Sequence, residues 1–447
     1  MSSKRGVAAF LATAALGSVS IGLVSSSATA RPPDSPLEMY VLEGPADKIN
    51  EAVPGLELAA VHQTAAGVTA DAVLTQVQRD KVNAAGVKVT VKRNNKGQSV
   101  SEQAAAQART GYTVYRSWDE PGGIRDELFA VARNNPNLVK LVVLGRTHQG
   151  RELIALKVTQ GAPGIRDGSR PAVLYSSLQH AREWISLEVN RRLLHHFVDR
   201  FRANDTAVKN LLKSTELWFV VAANPDGYQY TFTNERLWRK NLRDNNGDGQ
   251  ITAVDGVDPN RNFNEHWGYD NEGSSPDPIS ETYRGPAPAS EPETRAMAGL
   301  IDRIKPKFQS NLHSFGEWLL YPQGWQVGTP DADNPLYVAL GGTDANPAIP
   351  GFNPGQSADT LYVTNGETTD YADTNAGTVA YTPELGEGIP GAGFVFPDDE
   401  ALIQAEFLKT LPFHLGLARS AVNPTAPASP VGITTAPFCG SMSSWSR

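Results

Sequence analysis

Residues 171–179 (PAVLYSSLQ) and 215–223 (TELWFVVAA) carry apolar side chains at consecutive positions, without the alternation of a strand wet on one face. Such strands must be covered on both sides, which is the condition of a largely parallel sheet. Between them lies LEVNRRLLHHFVDRF (187–201), which reads as a helix with one apolar face. The alternation continues. DELFAVARNNPNLVKLVVLG reads helix then strand, RELIALKVTQ strand, SEPETRAMAGLIDRIK helix, and PKFQSNLHSFGEWLLYP and TVAYTPELG two more strands. Ser290 and Glu293 have the spacing of a capping box at the start of the second helix. The expected fold is α/β: a mixed, mostly parallel sheet with helices on both faces. Reactive groups should gather beyond the strand ends.

This texture begins at Tyr112 and lasts to about Ser420. Before it, residues 31–93 read as a small α/β unit. LEMYVLE and VKVTVKR alternate like strands, and TADAVLTQVQRDKVNAAG (69–86) has helical periodicity stopping at Gly86. Residues 94–111 are polar and small, as in a linker. The first 30 residues have the form of a secretory signal: Lys4 and Arg5, an apolar stretch, and Ala28-Thr29-Ala30 as a cleavage pattern. The protein is therefore expected outside the cell. No other stretch approaches the ~20 apolar residues of a membrane span. Residues 421–447 are rich in Pro, Ala and Ser and read as a disordered tail. The single cysteine, Cys439, lies there, so no internal disulfide is available and stability must come from the core or from bound metal.

With 40 Lys and Arg against 48 Asp and Glu, the net charge is −8, which argues against a nucleic-acid binder. Of eight histidines, two end apolar strands: His180 in LYSSLQH and His313 in FQSNLH. His195, His196, His414, His62, His148 and His266 sit in ordinary helical or polar settings. Glu183 follows His180 by three residues, close enough for both to reach one ion. His180, Glu183 and His313 would make a His₂Glu zinc set whose fourth position is left to water, as in catalytic sites. Such chemistry needs a base, and Glu384 ends the last strong strand. It also needs a cation for a developing oxyanion, and NERLWRKN offers Arg236, Arg239 and Lys240. GVDPNRNF adds Asp258, Asn260 and Arg261, the last a two-pronged donor for a carboxylate.

Eight segments in order, HAREW, NPDGY, RLWRKN, GVDPNRNF, SETYRGP, LHSFGEWLLYP, LYVTNGETTDY and YTPELGEG, resemble the zinc carboxypeptidases of the pancreatic carboxypeptidase A type over residues 112–420. The resemblance implies zinc ligands at His180, Glu183 and His313, a general base at Glu384 and an oxyanion donor at Arg239. It implies a clamp on the substrate's terminal carboxylate at Asn260, Arg261 and Tyr362, and an auxiliary arginine at Arg182. Asp258 would orient the first histidine. Phe315 stands where many members have tyrosine. The pocket floor, acidic in members that select Lys or Arg, falls at Thr369, with Glu367 two residues earlier and Asn311 and Gly324 beside it. The implied activity is release of C-terminal residues from peptides or proteins, apolar ones first and basic ones tolerated, by a monomer. An amidase, deacylase or cell-wall-peptide hydrolase on the same zinc site, and a non-catalytic peptide binder, are the alternatives. Intact Asn260 and Arg261 weigh against the former and Glu384 against the latter. Residues 31–93 are expected to be a removable pro-segment or else a permanent accessory domain.

One run departs from the animal enzymes. DNNGDGQITAVD (244–255) matches a calcium-loop template, with Asp244, Asn246, Asp248, Gln250 and Asp255 at the ligand positions. A structural Ca²⁺ is expected there, with a plain Asx/Gly turn as the alternative.

Overall fold

A computed structural model describes residues 37–65 and 67–427. The signal-like segment 1–30 and the tail beyond 427 lie outside the described residues.

Residues 38–91 form an antiparallel sheet with two helices. The elements are β1 (Glu38–Gly44), α1 (Ala46–Ala52), β2 (Ala59–Thr64), β3 (Gly67–Leu74), α2 (Gln76–Ala84) and β4 (Lys88–Val91), in strand order β2-β3-β1-β4. The helix expected from residue 69 is a strand as far as Leu74. Tertiary contact decides this: Val68, Ala72 and Leu74 join Tyr40 and Leu42 in a core beneath the helices. The helix starts only after Thr75, whose side chain caps it in a reciprocal box with Gln78. Met39 and Val73 point the other way, into the main core of the molecule.

The expected linker holds a helix, α3 (Val100–Thr110), begun by a Ser99–Glu102 capping box. Its Val100 and Ala104 are buried in the main core. The polar composition of 94–111 hid that signal.

The rest of the chain runs α4 (Ile124–Asn134), β5 (Val139–Arg146), β6 (Glu152–Val158), β7 (Ala172–Ser177), α5 (Trp184–Arg202), α6 (Thr206–Ser214), β8 (Glu216–Val220), α7 (Pro225–Thr233) and α8 (Pro292–Ile304). It continues with β9 (Phe308–Ser314), β10 (Trp318–Tyr321), α9 (Asn334–Gly341), the short pair β11 (Gly342–Thr343) and β12 (Asn346–Pro347), and β13 (Asn353–Gln356). The last elements are α10 (Ser357–Thr360), α11 (Thr368–Ala376), β14 (Val379–Leu385) and α12 (Glu400–Ser420). Eight strands form one sheet in the order β13-β10-β14-β9-β7-β8-β6-β5. Its centre, β14-β9-β7-β8, is parallel, and β10, β6 and β5 add antiparallel pairings.

Both faces of the centre are covered, as the unbroken apolar strands require. Val173, Tyr175, Leu217 and Phe219 pack with α5 and α12 on one face; Leu174, Trp218 and Val220 pack with α8 and α11 on the other. Each fully buried aliphatic side chain contributes about 2 kcal/mol of transfer free energy. This layering fixes the strands tightly enough that their carboxyl ends can carry a site.

Candidate active site

Beyond β7 the chain makes a sharp turn. Leu178 takes a left-handed backbone (φ 57°), and its N–H donates to Ser186 Oγ at 3.2 Å. The next residues therefore point across the sheet end, with His180 in the turn and Glu183 as the N-cap residue of α5. His313 comes from β9, where the parallel register sets it beside Glu384 of β14. Thus the segment after β7 delivers His180 and Glu183, while β9 delivers His313 and β14 Glu384 at their carboxyl ends.

His180 Nδ1 lies 2.7 Å from Glu183 Oε1 and 3.0 Å from His313 Nδ1, and His313 Nδ1 lies 3.1 Å from Glu183 Oε2. All three side chains are buried. The opposite ring nitrogens are engaged elsewhere: His180 Nε2 on Asp258 Oδ1 at 3.2 Å, and His313 Nε2 near Asn311 Nδ2 at 3.0 Å. Two imidazole Nδ1 atoms and one carboxylate thus converge on a common point and could hold a metal ion. A His₂Glu donor set suits zinc, so the residues fit the ion expected from the sequence. Burial opposes ionisation of Glu183, yet the two imidazoles hold its carboxyl well below the usual range.

Asp258 links this trio to the cation behind it. It accepts from Arg239 Nε at 3.0 Å and Nη2 at 2.8 Å while contacting His180. Burial alone would raise the Asp258 carboxyl; Arg239 and His180 hold it far below the ordinary value. Of the three cations offered by NERLWRKN, Arg239 is the one aimed at the trio. Arg236 stacks 3.7 Å from the Trp184 ring and donates to the Arg182 and Phe394 carbonyls. Lys240 Nζ donates to Pro278 O at 2.6 Å.

Asn260 N donates to Asp258 Oδ1 at 2.8 Å, and its Oδ1 accepts from Thr368 N and Oγ1. Neither contact engages its side-chain amide nitrogen. Arg261 is buried; Nη1 reaches the Asn260 carbonyl at 2.9 Å, while Nε is buried without a partner. Tyr362 is half-buried, and its hydroxyl is pushed up by burial and by nearby Glu57, with Arg261, Arg239 and Glu384 also acting on it. Burial, Glu183 and Glu57 push the Glu384 carboxyl well above its ordinary value, against Arg239 and Arg261. The expected pocket residues also meet. Glu367 Oε1 accepts from Thr369 Oγ1 at 3.0 Å, and a Cβ at Gly324 would come within 2.7 Å of that same oxygen. Asn311 Nδ2 instead donates to Gln179 Oε1 at 2.7 Å. Phe315 packs edge-on against Phe394, with Lys92 above its ring.

The sequence reading missed Glu57. This residue of the N-terminal unit enters the cleft, where one carboxylate oxygen pairs with Arg239 Nη1 and the other with Arg182 Nη2. Glu57 carries no local signal, since its partners lie more than a hundred residues away. Glu281 was missed as well. It holds Arg182 Nη1, and its position inside SETYRGP was a usable cue.

In the loop expected to bind calcium, Asp244 accepts from Gly247 N at 2.6 Å and Gly249 N at 2.8 Å, and Asp248 Oδ1 accepts from Gln250 N. Asn246 Oδ1 takes Asp248 N at 3.0 Å. Asp255 is buried and turns its oxygens onto Asn245 N and Thr252. The Ser290–Glu293 capping box is not formed: Glu291 is the N-cap residue, and Glu293 bonds Asn241 instead.

Comparison with known proteins bears on the family and the fold. The profile of the zinc carboxypeptidase family matches residues 124–407. Crayfish (Astacus astacus) carboxypeptidase B is 31% identical over 301 residues, covering 66% of this chain and 93% of the relative. Mouse (Mus musculus) carboxypeptidase A4 is 32% identical over 315 residues, covering 69% and 72%. Among solved structures, the carboxypeptidase A of Helicoverpa armigera superposes with a TM-score of 0.67 at 23% identity, over 89% of this chain and all of that one, which supports the fold.

Proposed function

This chain belongs to the zinc carboxypeptidase family and is a metallocarboxypeptidase, and from that premise we propose that it releases single residues from free peptide C-termini. The observation that carries the proposal is Arg261. Its buried guanidinium, with Nε unpartnered, is near enough to Glu384 and Tyr362 to act on the charge of both, and a substrate's terminal carboxylate would complete it. A two-pronged Arg–carboxylate contact fixes both position and orientation, and the side-chain amide nitrogen of Asn260 would add a third donor.

Zinc held by His180, Glu183 and His313 would supply Lewis acidity toward the scissile carbonyl and make water acidic near neutral pH. The chain's own groups do the rest. Glu384 takes a proton from the attacking water on its carboxylate and hands it to the leaving nitrogen. Arg239, held by Asp258, donates to the carbonyl oxygen as negative charge develops there. Asp258 keeps the His180 ring oriented through Nε2. Thr369, Glu367 and Gly324 would form a pocket that admits apolar side chains and, through Glu367, basic ones.

The N-terminal unit is read as a removable pro-segment. Glu57 supports this, because it takes the two arginines a substrate would use. We read the protein as an exported monomer. The signal-like start supports export, and among the described residues no helix is long and apolar enough to cross a membrane. The 244–255 loop is proposed to bind Ca²⁺ through Asp244, Asn246 and Asp248; a melting temperature of the chelated protein indifferent to calcium would remove that part.

The test is to trim the full chain by mild proteolysis and follow peptides ending in Leu, Phe or Arg by mass spectrometry. Stepwise loss of single terminal residues is expected from all three. Internal cuts would overturn the exopeptidase reading, and undetectable Arg release would overturn the role given to Glu367.

A further inference from the structure

Away from the cleft, four stretches of chain bring a second set of metal-ligating side chains together. His148 sits at the tip of the β5–β6 hairpin. Its neighbours are tied down by buried Asp226, which accepts from Thr147 Oγ1 and from Gln149 N, each at 2.8 Å. Glu291 and Glu293 come from the start of α8. His148 Nε2 lies 2.8 Å from Glu291 Oε2, a separation like the 2.7 Å between His180 and Glu183 in the active site. The side-chain amide of Asn241 donates to both glutamates, at 2.9 and 3.0 Å.

We propose that His148, Glu291 and Glu293 form a second site for a zinc-class divalent ion, separate from the catalytic trio. The donor atoms of the three residues lie within 4.8 Å of one another. Both glutamates are buried, at 0% and 1% exposure, and Glu293 Oε1 has no hydrogen-bond partner. Two carboxylates held this close inside a protein need a proton or a cation between them. Arg243 Nη1 reaches Glu291 Oε1 at 3.3 Å, where Ser290 Oγ also donates, and not the Oε2 that faces His148. One imidazole with two carboxylates suits zinc, cobalt or manganese, whereas calcium takes oxygen ligands alone. His148, its side chain 28% exposed, opens the site to solvent.

The position gives the ion a structural effect on catalysis without contact to substrate. Asn241 also pairs with Val257, through N–H to carbonyl at 2.9 Å and Oδ1 from N–H at 2.8 Å. It therefore joins the segment carrying Arg239 to the one carrying Asp258, and an ion beneath it braces both.

The test uses the full-length chain, stripped by a chelator and titrated with cobalt(II) in excess calcium, by calorimetry and visible absorption. His148→Ala and, separately, Glu293→Gln should each bind one equivalent fewer than the parent, with the folded circular-dichroism spectrum kept. His313→Ala reports on the catalytic trio independently, so failure of that reading is distinguishable from failure of this one. Unchanged stoichiometry in both His148→Ala and Glu293→Gln would overturn the second site.

Discussion

In the proposed mechanism Glu384 and Arg261 divide two tasks that a single substitution each can separate. Glu384→Gln keeps the shape and removes the proton acceptor, so kcat should fall by roughly 10²–10⁴-fold while zinc content is unchanged. Retained turnover in the zinc-loaded variant would contradict the role given to Glu384. Arg261→Ala removes a charge-assisted contact worth about 2–3 kcal/mol, so kcat/KM for a free-acid dipeptide should fall roughly a hundredfold. The fall should appear in KM, because the contact is made to a group that does not react. At this scale the sequence was informative where chemistry-bearing residues ended apolar strands. His180, His313 and Glu384 could be picked out that way, and they do meet in space. Tyr362, on a loop, was reachable only through resemblance. Glu57 was not reachable at all, because nothing near it in the chain marks its partners.

Among elements, the β strands were the legible part, since a run buried on both faces leaves few alternatives to a central strand. Helices α6 and α7 were not foreseen, although each has a local signal: Asp205 caps α6, and Asn224 followed by Pro225 starts α7. The strand read from Thr215 ran up to the start of α7, and residues 202–214, which hold α6, were assigned to no element. The contact between α4 and α5 gives a pH test. Glu127 on α4 receives Arg191 Nε at 2.7 Å and His195 Nε2 at 2.6 Å from α5. Burial opposes the Glu127 charge, but Arg191 and His195 lower the carboxyl to about 2. The folded pKa lies below the unfolded one, so this stabilisation is present above about pH 4.5 and is lost as pH falls toward 2. It is on the order of 3 kcal/mol. Glu127→Gln should therefore destabilise the protein at pH 7 and flatten the loss of stability over that acid range in chemical denaturation. An unchanged acid profile would remove Glu127 from the account.

For the whole molecule, the main question is what the N-terminal unit does to the cleft. Its sheet uses one face for its own helices and lends Met39 and Val73 to the main core, so it is packed on the larger body rather than tethered to it. Further contacts support that packing: Lys92 between Asp71 and Glu387, and Thr282 Oγ1 donating to Gly55 O. If Glu57 silences the site, full-length Glu57→Ala should hydrolyse substrate without trimming, about tenfold or more faster than the untrimmed parent. After trimming, variant and parent should match. Equal rates before trimming would remove the pairing of Glu57 with the two arginines as the proposed latch. The charge balance and the α/β layering were readable from the sequence. The seating of this unit was not, because it depends on contacts between residues far apart in the chain.

The most direct measurement compares an N-blocked dipeptide ending in Leu or Phe with its C-terminal amide, using trimmed protein with and without a zinc chelator. Cleavage of the free acid alone, abolished by the chelator, is the predicted result, since Arg261 and Asn260 need a carboxylate and the trio needs its ion. Equal cleavage of the amide, or cleavage of the acid that survives chelation, would contradict the account.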